Sequence, residues 1–115
     1  MSEYKLLING RLEDGDQTMD VINPATEEVL AVCPRASKGQ LDKAVAAAKA
    51  AFPGWSKTPI EERKKALLAI AERIQSKAPE LARILTQEQG KPLADATGEV
   101  YGAAAFFQYF ASLDL

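Results

Sequence analysis

The stretch EQGKPLADATGEV, residues 88–100, sets a Gly-Lys pair between two helical segments, and such a pair is the residue combination of phosphate-binding loops. A P-loop needs a further glycine five residues before Gly90, where Leu85 stands, and a hydroxyl residue after Lys91, where Pro92 stands. The pair therefore reads as helix punctuation: Gly90 suits the left-handed residue past a helix C-terminus, and Pro92 prevents continuation. No G-x-G-x-x-G occurs, so a complete dinucleotide fingerprint is absent from the sequence. Cys33 could act as a nucleophile only if something lowered its pKa, and no histidine or helix N-terminus is expected beside it; it reads as a small packed thiol in a strand. With no histidine in the chain, Ser-His and Cys-His mechanisms and the common metal sites have no members here.

Two further clusters invite a binding reading. The run EERKK (61–65) places Glu61 and Lys65 four apart, the favourable order for a helical ion pair, and so reads as a solvated helix face rather than a basic patch. Trp55 and the cluster FFQYF (106–110) could contact a ligand. Phe107 and Phe110 continue an apolar stripe and are expected in a core, whereas Phe106 and Tyr109 point elsewhere, toward a partner or another part of a protein.

The bulk numbers limit the alternatives. The 115 residues fit one modest core, and 47% hydrophobic with 26% charged residues is the balance of a folded chain. A net charge of −2 gives no long-range attraction to nucleic acid or an anionic membrane, so neither is expected as a partner. The longest apolar stretch near the N-terminus is Leu6-Leu7-Ile8, too short for a signal-peptide core, and the default compartment is the cytoplasm. A single cysteine forms no internal disulfide.

The elements that must position these residues fall into strands, then helices. Asn9-Gly10 is a tight-turn pair between LLI and Arg11-Leu12, and predicts a hairpin. TMDVI (18–22) and VLAVC (29–33), joined by a turn at Pro24, predict a second antiparallel pair. Ser37 and Gln40 fit a capping box before a helix whose apolar Leu41, Val45, Ala48 and Phe52 share a face and which Pro53-Gly54 should stop. Thr58, Pro59 and Glu61 predict a second capping box, with proline at the first helical position. The long helix that follows should kink or restart near Ser76–Ala78, because Pro79 cannot donate a hydrogen bond in mid-helix. A third helix follows Pro92, with Gly98 and Gly102 four apart, a spacing that admits another backbone closely. The expected fold class is α+β, one segment spanning 1–115, with strands within 5–34 and three helices over 38–52, 59–89 and 93–113.

Taken together, KLLINGRL, VINPATEEVLA, AVAAAKAAFPGWSKTPIEERKKALLAIAERI and TQEQGKPLADATGEV resemble, in order and spacing, the N-terminal portion of aldehyde dehydrogenases, over essentially the whole chain. GKPLADATGEV looks most like the semialdehyde dehydrogenase branch, whose aldehydes also carry a carboxylate. The resemblance implies that strands and helices belong to the N-terminal part of an α/β cofactor-binding domain, packing on a parallel sheet this chain does not supply. It implies an enzyme that oxidises an aldehyde to an acid with NAD or NADP: a cysteine thiolate adds to the aldehyde, hydride passes to the cofactor, and a glutamate activates water.

The family's catalytic cysteine, asparagine and glutamate and its cofactor turn all lie beyond the equivalent of Leu115. No catalytic, cofactor-binding or metal residue is therefore carried over, and the chain alone is expected to be inactive and to bind no cofactor. The helix after GKP contributes to the substrate tunnel in the family, which places Val100 and Ala104 near its mouth. Glu27 stands where many relatives carry glycine after NPAT; if that position needs positive φ, the substitution costs about 1 kcal/mol locally. The implied partners are the remainder of the dehydrogenase chain and, at full length, further copies in a homo-oligomer. The rival reading is a stand-alone helical module that binds a protein partner through its exposed stripe and has no enzymatic activity.

Overall fold

A computed structural model describes residues 4–114, which divide between Lys57 and Thr58 into two compact units. The first unit opens with β1 (Leu6–Ile8) and β2 (Arg11–Glu13), antiparallel with Ile8 opposite Arg11. The two-residue loop between them has φ of 52° at Asn9 and 72° at Gly10, the pair of positive values that matches strand twist in a tight hairpin.

The second ribbon pairs β3 (Gln17–Ile22) with β4 (Val29–Arg35), with a bulge where Val21 faces Ala31 and Ile22 faces Val29. Asn23 closes its connection: the side-chain oxygen accepts from the Ala25 amide at 3.0 Å, and the carbonyl accepts from the Glu27 amide at 2.8 Å. Glu27 sits at φ 60°, so the position does require a left-handed backbone, which a non-glycine residue adopts at a cost of about 1 kcal/mol.

Helix α1 (Lys38–Trp55) begins at the expected capping box, with Ser37 Oγ accepting from the Gln40 amide and Gln40 Oε1 accepting from the Ser37 amide, both at 3.2 Å. Gln40 does more than cap. Its Oε1 also accepts from the Asp16 amide at 2.9 Å, and its Nε2 donates to the Asp14 carbonyl at 2.8 Å and to Glu13 Oε1 at 3.3 Å. Only 5% exposed, it is the one fully buried side chain among the described residues of this unit. Beside it, a Cβ on Gly15 would stand 2.8 Å from the Arg35 backbone nitrogen and oxygen, so only glycine lets the 14–16 loop pass that strand.

Helix α1 departs from expectation at its end. It runs through Pro53 to Trp55 rather than stopping at Pro53-Gly54, because a proline in the last turn removes only one hydrogen bond, and the Ser56 amide still closes onto the Phe52 carbonyl at 2.8 Å. Leu41, Val45 and Phe52 share a face as expected, but that face is exposed.

The second unit is wholly helical, and it contains three helices where two were expected, which makes four in the chain rather than three. Helix α2 (Ile60–Ser76) and helix α3 (Ala78–Gln89) are separated at Lys77, whose φ of −105° and ψ of 4° leave the helical region. Pro79 then occupies the first turn of α3, where a missing N–H is harmless, so the restart falls where proline demanded it. The Thr58 capping box does not form: Pro59, at ψ 143°, is itself the N-cap of α2, without a side-chain cap, and Glu61 and Glu62 complement the exposed amides by charge. Helix α3 ends at Gly90, at φ 75°, whose amide bonds to the Thr86 carbonyl at 2.8 Å. Helix α4 (Leu93–Ser112) starts from Pro92, a second proline N-cap.

Helix α4 packs on both α2 and α3. The contact is made of small side chains: Ala71 on α2, Ala78 and Ala82 on α3, and Ala96, Val100 and Ala104 on α4 are buried, with Ile74 and Leu85 at the margin. Phe107 is half-buried, but Phe110 lies outside the core, in an edge-to-face contact with Tyr109 at 5.3 Å. The surface pairs also differ from expectation: Lys64 meets Glu61 at 3.6 Å and Lys65 meets Glu62 at 2.8 Å, because residues three apart are as near as those four apart, and Lys64 also reaches Asp114 at 3.7 Å.

Replacing Gln40 by alanine removes the side-chain partner of the Asp14 carbonyl and the Asp16 amide. The Gln40→Ala chain is expected to lose about 1–3 kcal/mol of stability, and the amides of Asp16 and Ser37 should lose protection from hydrogen exchange. Gln40→Glu should behave similarly, since a carboxylate has no donor for the Asp14 carbonyl and sits against Glu13; unchanged exchange at those two amides would show that the buried cluster does not hold the unit.

Candidate functional site

Three features of the described residues have the size or chemistry of a site. In the first unit, the alanine face of α1 lies beneath the first hairpin, and a groove of about 570 Å³ opens there, lined by Ile8, Arg11, Glu13, Lys43 and Ala47 among others. In the second, a cleft of about 180 Å³ between α3 and α4 is lined by Pro79, Arg83, Leu93, Thr97 and Tyr101. Thr97 Oγ1 donates to the Leu93 carbonyl at 2.7 Å, which leaves the Arg83 guanidinium as the charged group of that cleft. The third is an almost purely apolar groove of about 450 Å³ along the outward side of α4, formed by Gly102, Ala105, Phe106 and Tyr109.

None of these brings together a nucleophile and a base. Cys33 is half-buried in β4 opposite Met19, with no acid or base of the strand pair facing it directly. Among the described residues, no group of three or more His, Cys, Asp or Glu side chains could hold a metal ion. Gly90 has its amide committed to the Thr86 carbonyl, and Lys91 is ion-paired to Glu99, so the Gly-Lys pair presents neither a free amide nor a free ammonium to a phosphate. Among the described residues, no helix is long and apolar enough to cross a membrane.

The electrostatics are those of a solvated surface. The ammonium of Lys77, hydrogen-bonded to Glu80 at 2.7 Å, holds that carboxyl below its ordinary value of 4.5, and Arg73 adds a smaller pull in the same direction. This pair closes the α2–α3 junction.

Val100 and Ala104 lie on the inward side of α4, 8% and 0% exposed, packed toward α2 and α3. The open side of the same helix is formed instead by Gly102, Ala105, Phe106 and Tyr109, of which the aromatic pair was foreseen to face outward. The Arg83 cleft and the reach of Gln40 to Asp14 and Asp16 were not foreseen, because both depend on contacts between elements.

The hairpin, the NPAT turn, the Gly90 cap and the outward aromatic helix together define an N-terminal segment of a known enzyme class. The model of the aldehyde dehydrogenase family matches residues 12–114, and the chain belongs to that family. Over 99 residues it is 43% identical to the mitochondrial, acylating methylmalonate-semialdehyde/malonate-semialdehyde dehydrogenase of Rattus norvegicus, covering 84% of this chain and 18% of that one. A probable aldehyde dehydrogenase of Pseudomonas sp is 43% identical over 114 residues, 99% of this chain and 23% of that one. Among solved structures, a betaine aldehyde dehydrogenase variant from Staphylococcus aureus in complex with NAD+ superposes with a TM-score of 0.91 at 32% identity, over 98% of this chain and 23% of that one. The chain thus spans about a fifth of the length of the relatives it matches.

Two outcomes follow from this geometry. Ala104→Leu forces a larger side chain into a fully enclosed contact and is expected to destabilise the chain by about 1–3 kcal/mol, read as a lower denaturant midpoint. The Lys77–Glu80 pair stabilises the folded chain at pH values above 4.5, the ordinary carboxyl value, and that contribution is lost as the pH falls through the lowered folded value. In Lys77→Ala the Glu80 carboxyl should titrate closer to 4.5 when followed by NMR, and the acid limb of stability should flatten; an unmoved titration would remove Lys77 as the cause.

Proposed function

We propose that this chain is the N-terminal portion of an NAD(P)-dependent aldehyde dehydrogenase that oxidises an aldehyde to a carboxylic acid, and that its own residues serve as scaffold. The observation that carries this reading is coverage: the family match fills residues 12–114, yet the aligned part is 18% of the rat relative and 23% of the Pseudomonas one. The chemistry then belongs to the rest of the polypeptide. The rat relative is named for malonate-type semialdehydes, which supports an aldehyde that itself carries a carboxylate. The NAD+ complex of the Staphylococcus relative supports a nicotinamide cofactor for the longer polypeptide.

Gly90 caps a helix and its amide is used internally, which supports a reading in which the cofactor is held by the rest of the polypeptide. Val100 and Ala104, buried against neighbouring helices, support a positioning role: they fix where α4 stands, and so where any tunnel wall built on it would stand. A cytoplasmic homo-oligomer is part of the same reading.

A second reading, a stand-alone helical module that binds a protein partner, draws on the exposed aromatics of α4. One experiment separates the two. The reading frame is followed past the codon for Leu115, the complete product is expressed, and NAD+ and NADP+ reduction is assayed with a carboxylate-bearing semialdehyde. Turnover is expected from the longer polypeptide, none from the 115-residue chain, and undiminished turnover from the longer polypeptide carrying Cys33→Ala. A stop codon directly after Leu115, or a longer polypeptide without turnover, would overturn the dehydrogenase reading; loss of turnover in Cys33→Ala would overturn the scaffold role.

A further inference from the structure

Two dipeptides of the first unit, Asn9-Gly10 and Asp14-Gly15, have the residue order in which a chain can modify itself. Glycine leaves its own amide nitrogen unhindered, so that nitrogen can reach the side-chain carbonyl carbon of the residue before it. The other asparagine of the sequence, Asn23, precedes Pro24, whose nitrogen has no proton to lose.

The fold holds the two sites very differently. At Asp14-Gly15 the Asp14 carbonyl accepts from Gln40 Nε2 at 2.8 Å, the Asp14 carboxylate is ion-paired with Lys5, and the Asp16 amide donates to Gln40 Oε1 at 2.9 Å. A Cβ on Gly15 would already stand 2.8 Å from the Arg35 backbone, so this loop has no room to swing. Ring closure there requires the main chain to rotate between Asp14 and Gly15, which breaks those bonds. Asn9 and Gly10 are exposed, and among the described residues neither the Asn9 side chain nor the Gly10 amide has a hydrogen-bond partner. A Cβ on Gly10 would meet nothing within 4 Å. The turn is held by two flanking strands of three residues each, and a two-stranded ribbon of that kind opens at little cost.

We propose that Asn9, and not Asp14, is a site of self-modification in the folded protein. The Gly10 amide nitrogen attacks Asn9 Cγ, and the new C–N bond closes a succinimide ring. The side-chain nitrogen leaves as ammonia, taking up the proton that the Gly10 nitrogen gives up. Water then adds to either ring carbonyl and breaks its bond to the ring nitrogen, which leaves aspartate or isoaspartate at position 9. Water is the only co-reactant. Each event replaces a neutral amide by a carboxylate and makes the net charge one unit more negative than −2. The isoaspartate product also adds one carbon to the main chain inside a two-residue loop, so Ile8 and Arg11 lose their register. Asn9 and Gly10 line the cleft in which the hairpin meets Ala47, Ala48 and Ala51 of α1, and the change therefore loosens β1 from that helix. The inference does not depend on the dehydrogenase reading.

The test uses the protein at whatever length its reading frame encodes. Trypsin separates the two sites, because cleavage after Lys5, Arg11 and Arg35 puts Asn9 in the 6–11 peptide and Asp14 in the 12–35 peptide. Mass spectrometry reads a gain of one mass unit at Asn9, and labelling by an isoaspartate-specific methyltransferase reads isoaspartate in either peptide. Rates in mildly alkaline buffer are compared with those in guanidinium chloride, which gives each site's rate without structure. Folding is expected to leave the rate at Asn9 within about threefold of its unfolded value and to slow that at Asp14 by about tenfold or more. A slowing at Asn9 as large as that at Asp14 would overturn the proposal, since the turn would then be as closed as the loop. Rates at both sites that folding leaves unchanged would also overturn it, since the fold would then select neither. In Asn9→Gln, whose longer side chain must close a larger ring, the 6–11 peptide should stay unmodified; a mass gain that persists there would rule out attack by the Gly10 nitrogen.

Discussion

The helical unit depends on one constraint: its three helices meet through alanine. Ala71, Ala78, Ala82, Ala96 and Ala104 are fully enclosed, and no large side chain among the described residues is. Small contacting residues let helix axes come close, so α4 can lie against α2 and α3 together. The consequence is energetic. A buried methyl contributes about 0.8 kcal/mol, against about 1.5–3 kcal/mol for a leucine or phenylalanine, so the contact sets geometry far better than it supplies stability. The larger apolar residues, among them Leu81, Ile84, Phe106 and Phe110, are left at or beyond the rim. The unit thus has alanine on the inward side of α4 and aromatic side chains on its outward side.

The first unit reaches order by a different route. Among its described residues no apolar side chain is fully buried; the enclosed group is the amide of Gln40. That amide is fully used, with two acceptor bonds at Oε1 and two donor bonds at Nε2, so its burial carries no unsatisfied group. Through it the end of β2, the 14–16 loop and the start of α1 share one hydrogen-bonded centre, and Gly15 lets the loop pass Arg35 at contact distance. Directional bonds here do what a hydrophobic core does elsewhere: they allow one arrangement and exclude its neighbours. The exposed stripe of Leu41, Val45 and Phe52 on α1 again leaves apolar surface outside.

What could be read from the sequence follows the range of the interaction responsible. The Asn9-Gly10 turn, the Ser37–Gln40 box, the Gly90 cap and the break before Pro79 all arise within four residues, and each stands where the residue types demand. The left-handed Glu27 is the same kind of case, a local steric requirement visible as an unusual residue after NPAT. Proline at 59 misled for a local reason too: its extended ψ makes it the cap and leaves Thr58 outside the helix. Phe110 and the α1 stripe misled for the opposite reason. Periodicity shows that apolar residues share a face, but it does not show whether this chain or another segment covers it. The second reach of Gln40, to a loop more than twenty residues earlier, has no local signal at all.

The candidate site shows the same division. The resemblance places Val100 and Ala104 near a tunnel mouth, and in the structure both are buried on one side of α4. The turn of that helix about its own axis is what a sequence lacks. Alanine packing on α2 and α3 sets it, and it sends Val100 and Ala104 inward while Gly102 and Phe106 face out. A helix whose rotation is fixed by one set of neighbours presents its other side reproducibly, and that is the property a scaffold needs. In a longer dehydrogenase the value of this segment would lie in that fixed rotation: any residue of α4 that meets substrate or a second segment would be held in place by alanines that touch neither.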